Sequence, residues 1–293
     1  MDRGSGGRVI LDLGGALVAL ETPDSPGPGT PLSAAESRFL EELPRVPASS
    51  SRRQSDFRLG LVPEPPTPLS PTLSVPGQKS LDELVESDPA VVRFGPSDMG
   101  VRHRRYCAEL DFAARRGFLY RRDDGTRALR IVLRIAMTAA LPLAGGLPIH
   151  GAGMVVGGRS LVFFGRSEAG KTTISHASPW PVVSDEMVAI AGDPPSLRAT
   201  GYLRWPGAEP LLPAPLAALV ELAKGPETVI ERLSRPEGLR RLMHHLWVPP
   251  VPLLQREAMG VAARVAAAVP VYRLAWNPAR PPFREIEERV LGA

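Results

Sequence analysis

Hydrophobic and polar positions change period several times along the chain, and each change predicts an element. Residues 8–21, RVILDLGGALVALE, hold two short β-prone runs around Gly14-Gly15, a dipeptide that supplies the positive φ of a two-residue hairpin turn. A β-hairpin within residues 1–21 is therefore expected. From 22 to 90 the periodicity is lost. Between residues 22 and 100 lie 14 of the chain's 33 prolines, with runs such as ASSSRR and VPEPPTPLSP. Such a stretch sustains neither ladders nor long helices, so 22–90 reads as a Pro/Ser-rich linker or extended arm, with short helical pieces at 33–43 and 80–87.

Alternation resumes near residue 91. VVRFG, YCAELDF and GFLYRR read as strands. Asp123-Asp124-Gly125-Thr126 then caps a helix whose apolar positions Leu129, Ile131, Val132, Ile135 and Ala136 follow a helical period. Beyond Pro148 the pattern is densely β, and PLAALVEL, VIERLS, LRRLMHHL, REAMGVAARVAAAV and VPVYRLAW alternate strand and helix almost to the C-terminus. The fold class expected is α/β, with a mixed β-sheet and flanking helices over 91–293 preceded by a small β-rich N-terminal region. No fixed-period repeat is visible.

Composition narrows the picture only a little. The hydrophobic content of 43% over 293 residues supports a buried core. The apolar run 131–148 carries Arg134, two prolines and a Gly-Gly, too interrupted to span a bilayer. Cys107 is the one cysteine and no charged-then-apolar leader opens the sequence, which predicts a cytoplasmic location without membrane attachment. The net charge of +4 comes from 35 basic and 31 acidic residues interspersed along the chain. With no aromatic-interleaved basic stripe, no nucleic-acid partner is expected.

The candidate chemistry begins at residue 165. GRSEAGKT, from Gly165 through Arg166, Ser167, Glu168, Ala169, Gly170 and Lys171 to Thr172, satisfies G-x-x-x-x-G-K-[ST]. RSLVFF before it reads as a buried strand, and the residues after Gly170 can open a helix, which Pro179 and Pro181 limit to about two turns. Convergent loop amides and a helix N-terminus suit phosphate oxygens. Lys171 is placed to reach the terminal phosphates and Thr172 to hold Mg²⁺. A two-residue turn at Gly157-Gly158 pairs Val156 with Arg159, Met154 with Leu161 and Ala152 with Phe163, which sets His150 opposite Gly165. PVVSDEMVAI, 181–190, reads as a strand ending in two carboxylates, Asp185 and Glu186, for metal coordination or proton removal. Arg204 is a further anion-clamp candidate beside Trp205. His244 and His245 lack Cys or acidic partners at ligand spacing, and His176 receives no role.

IHGAGMVVGGRSLVFFGRSEAGKTT followed by VVSDEMVAI resembles the HPr kinase/phosphorylase-like family, whose catalytic domain shares its nucleotide-binding layout with phosphoenolpyruvate carboxykinase. The likeness covers roughly residues 127 to 275. It implies an ATP- and Mg²⁺-dependent kinase acting on a hydroxyl, with a Ser/Thr of a peptide or small protein as acceptor, and a homo-oligomer. By motif position the implied site comprises His150, the loop Gly165 to Thr173, and Asp185 with Glu186. Asp-Glu stands here where the family commonly has Asp-Asp, and no counterpart of the C-terminal signature of true HPr kinases is found. A nucleotide-binding regulator or scaffold without turnover, and a small-molecule kinase, remain as alternative readings.

Overall fold

The computed structural model describes residues 8–12, 16–22, 32–41, 55–65, 67, 91–122, 126–203 and 213–292. The Gly14-Gly15 turn, the 80–87 helix, the Asp123–Gly125 cap and Arg204 lie outside these residues. Among the described residues the protein is α/β, with two mixed sheets and six α-helices. It divides into two compact units, residues 1–144 with 248–257 and residues 145–247 with 258–293.

The first unit is built on a seven-stranded sheet in the order β1-β2-β3-β7-β6-β5-β4. Its strands are β1 (Arg8–Asp12), β2 (Leu17–Glu21), β3 (Phe57–Leu61), β4 (Val91–Phe94), β5 (Asp98–His103), β6 (Tyr106–Asp111) and β7 (Arg116–Arg121). β1 and β2 are antiparallel with Asp12 opposite Leu17, the register a turn centred on Gly14-Gly15 requires. The hairpin is not a separate element, because β2 continues the sheet by pairing in parallel with β3.

β3 is the main departure from the sequence reading. FRLGL lies inside the segment read as linker, yet it pairs in parallel with both β2 and β7. Phe57, Leu59 and Leu61 are buried while Arg58 is exposed, the alternation of a strand covered on one face. Helix α1 (Ala34–Glu41) matches the 33–43 expectation. It opens with a capping box: the Glu36 amide donates to Ser33 Oγ, and the Ser33 amide donates to Glu36 Oε2. Glu36 also forms a fully buried ion pair with Arg121 of β7. Helix α2 (Thr126–Leu143) buries 13 of its residues, from Ala128 to Pro142, and packs on β2, β3, β6, β7 and α1. Among the described residues no helix is long and apolar enough to cross a membrane.

The second unit carries an eight-stranded sheet formed by β8 (Leu147–Val156), β9 (Arg159–Phe164), β10 (Val182–Ser184), β11 (Met187–Ala191), β12 (Arg198–Leu203), β13 (Ala214–Lys224), β14 (Val229–Arg232) and β15 (Val271–Trp276). Helices α3 (Lys171–Ala177), α4 (Arg235–Met243) and α6 (Phe283–Ile286) belong to this unit, together with α5 (Pro252–Ala268) from Ala258 onward. β9, β13 and β15 are parallel neighbours. Ala218 to Leu222 of β13 form an unbroken buried run, as expected of a strand flanked on both sides in a covered sheet. Phe163, Val220, Leu222, Leu274 and Trp276 belong to one hydrophobic cluster beneath this part of the sheet.

Candidate functional site

Gly157 and Gly158 carry φ of 55° and 77°, the two positive values a type I′ hairpin turn needs. β8 and β9 consequently pair in the register that the two glycines predict, from Val156 opposite Arg159 to Gly151 opposite Phe164. His150 and Gly165 are the next positions along these strands. On its other edge β8 pairs with β10 and β11, with Met187 of β11 opposite His150, and between these strands the Gly151 amide donates to the Glu186 carbonyl. One strand therefore sets the His150 backbone between the start of the glycine loop and the acidic segment.

The glycine loop follows the strand-loop-helix order. β9 ends at Phe164, residues 165–170 turn, and α3 begins at Lys171 and spans 7 residues before Ser178 and Pro179, the two turns expected. Lys171 is buried, and its Nζ donates to the carbonyl oxygens of Gly165 at 2.9 Å and Arg166 at 3.0 Å. Two of the three ammonium donors thus tie the lysine across the loop that its own helix follows. Arg166, Ser167 and Glu168 are exposed, whereas Ala169 and Gly170 are buried. Thr172 and Thr173 lie exposed in the first turn of α3.

Gly170 caps α3 with φ of 100°, and a Cβ there would stand 2.7 Å from the buried ring of Trp276. A left-handed conformation costs a non-glycine residue about 1–2 kcal/mol, and the indole is fully buried, so it cannot withdraw. Gly170→Ala is expected to lower stability by at least about 1 kcal/mol and to distort the loop. Urea unfolding of the variant checks the loss of stability.

Asp185 and Glu186 follow the end of a strand, as the sequence reading expects, but that strand is only three residues long. The chain forms β10, bends at both acids, and restarts as β11. Ser184 Oγ accepts from the amides of Glu186 and Met187, at 3.3 and 3.1 Å, and holds the bend. Both carboxylates are half-buried, so they occupy a corner between strands and not adjacent positions of one extended strand. Sequence reasoning missed a neighbour here: His176 Nε2 of α3 lies 3.8 Å from Asp185 Oδ2. The missed signal is a histidine on the loop helix five positions after the lysine.

Among the described residues no group of three or more His, Cys, Asp or Glu side chains is placed to hold a metal. Thr172, Asp185 and Glu186 carry oxygen donors of the kind that Mg²⁺ takes together with waters and substrate oxygens. Elsewhere in the unit, His245 Nε2 is 3.4 Å from Glu221 Oε1 of β13, so this histidine has an acidic partner in space despite lacking one in sequence. Burial works to raise the Glu221 pKa. The His245 hydrogen bond and the Arg241 charge outweigh it and hold the carboxyl below its ordinary value.

No protein-family model matches the chain, and none of the curated proteins matches it.

Proposed function

We propose that the unit of residues 145–247 and 258–293 binds ATP with Mg²⁺ and transfers the terminal phosphoryl group to a hydroxyl, in an HPr kinase-like layout, with a Ser/Thr of a peptide or small protein as acceptor. The observation that carries the reading is the Lys171 bridge to the Gly165 and Arg166 carbonyls. It fixes an ammonium within a glycine loop at a helix start, where backbone amides and the helix dipole favour phosphate.

In this reading Lys171 and the loop amides stabilise charge on the phosphates. Asp185 accepts the hydroxyl proton as the hydroxyl oxygen bonds to the terminal phosphorus, and the bond to the bridging oxygen breaks to leave ADP. His150 contacts phosphate or tunes Asp185. Thr172 with one of the two carboxylates would hold Mg²⁺, which neutralises phosphate charge when bound. A second reading, a nucleotide-binding regulator without turnover, is favoured by one observation: Asp185 has His176 as a neighbour within 4 Å.

ATP labelled in its terminal phosphate, incubated with the full chain and Ser/Thr peptides, separates these outcomes. Label on peptide with an equal amount of ADP is expected. Tight nucleotide binding without product supports the regulator, and absence of nucleotide binding overturns both readings.

A further inference from the structure

A cavity of about 520 Å³ opens at the C-terminal end of β13 and beside Arg273 of β15, with the glycine loop as one wall. β9, β13 and β15 run parallel, and the crevice beyond such strand ends is where open α/β sheets take ligands. The volume lies inside the roughly 300–1,000 Å³ span of small-molecule sites. Six charged side chains line it: Arg166 and Glu168 from the loop, Glu221 and Lys224 from β13, Arg241 from α4 and Arg273 from β15.

Their partners differ. Arg241 bridges Glu237 and Glu221, and Glu221 also meets His245, so these charges are internally compensated. Arg166, Lys224 and Arg273 are exposed, and their side chains make no hydrogen bond or ion pair with other described residues. Glu168 is the single uncommitted carboxylate on the wall. Three cations from three separate elements thus converge on one concavity, against one anion. Such a cleft focuses positive potential and concentrates anionic ligands.

We propose that this cavity is a second anion-binding subsite, beside the Gly165–Thr172 cradle and sharing residues 166–169 with it as a wall, which takes the phosphate or carboxylate group of a small molecule. Arg166 and Arg273 supply planar forks that match either group in bidentate fashion, and Lys224 adds a point charge. The subsite goes beyond phosphoryl transfer and does not depend on it.

Calorimetric titration of the full chain with O-phospho-L-serine and with succinate tests the proposal, with and without a saturating non-hydrolysable ATP analogue. At least one probe is expected to bind one to one in both conditions. Binding of phosphoserine alone assigns the subsite to phosphate esters, and binding of both probes shows that a carboxylate suffices. The Lys224→Ala/Arg273→Ala variant should weaken the probe at least about 10-fold and leave the analogue's affinity unchanged, with circular dichroism confirming the fold. Thr172→Ala, which alters the cradle at a residue outside the cavity lining, should leave the probe's affinity intact. Failure of both probes to bind, a double variant that binds like the parent, or one-for-one displacement of the probe by the analogue would overturn the proposal. A chain that binds the probe but no nucleotide contradicts the kinase reading alone and leaves the subsite standing.

Discussion

Lys171→Ala is expected to reduce phosphoryl transfer at least about 10²-fold, the scale on which loss of one pre-placed donor to developing charge is felt. The ammonium is the one side-chain donor seen to span the loop, reaching the carbonyls of both Gly165 and Arg166. Alanine is too short to replace it and leaves these carbonyls to water. Because the loop sits at the end of β9 with three of its residues exposed, the rest of the unit should keep its fold. Turnover with ATP and a peptide acceptor, measured beside far-ultraviolet circular dichroism, gives the two readouts. Undiminished turnover in a folded variant would contradict the assignment of Lys171.

Glu36→Ala is expected to cost about 3–5 kcal/mol, the range for breaking a buried ion pair by removing one partner. That is a large share of the roughly 5–15 kcal/mol that holds a native domain together. Glu36 and Arg121 are both essentially inaccessible to water, so truncation removes a charge partner from a guanidinium buried in the core of the first unit. The same change also removes the acceptor for the Ser33 amide at the start of α1. Replacing both members, Glu36→Leu with Arg121→Met, should recover most of the loss, because apolar groups of similar size leave no uncompensated charge. Denaturant unfolding of the two variants measures the difference. A single variant as stable as the parent would show that the pair contributes little.

Local signals made parts of the second unit readable from residues alone. Gly157-Gly158 fixed the β8–β9 register because a two-residue turn leaves one pairing available, and the two prolines after α3 fixed its length. β13 and β15 were readable as apolar runs. What escaped depends on partners distant in sequence. FRLGL is short, sits among prolines, and becomes a strand through parallel pairing with β2 and β7. The strand end at Asp185-Glu186 was readable, but not what shapes it: the hydrogen bonds of the bend come from a serine side chain, which competes locally with the ladder, and the chain restarts at once as β11. His176 met Asp185, and His245 met Glu221, only once helices were laid on the sheet. The cavity is assembled from a loop, two strands and a helix widely separated in the chain. No single stretch announces it.

The contact between Gly170 and Trp276 has a consequence for biosynthesis. β9 and the glycine loop leave the ribosome well before the indole that supports the loop from below, which belongs to the last strand of the sheet. A nascent chain halted before residue 276 would carry the whole glycine motif without its floor. On the proposed reading, nucleotide affinity should therefore be acquired late in translation, in one step with closure of the second unit's sheet, and not when the motif itself emerges.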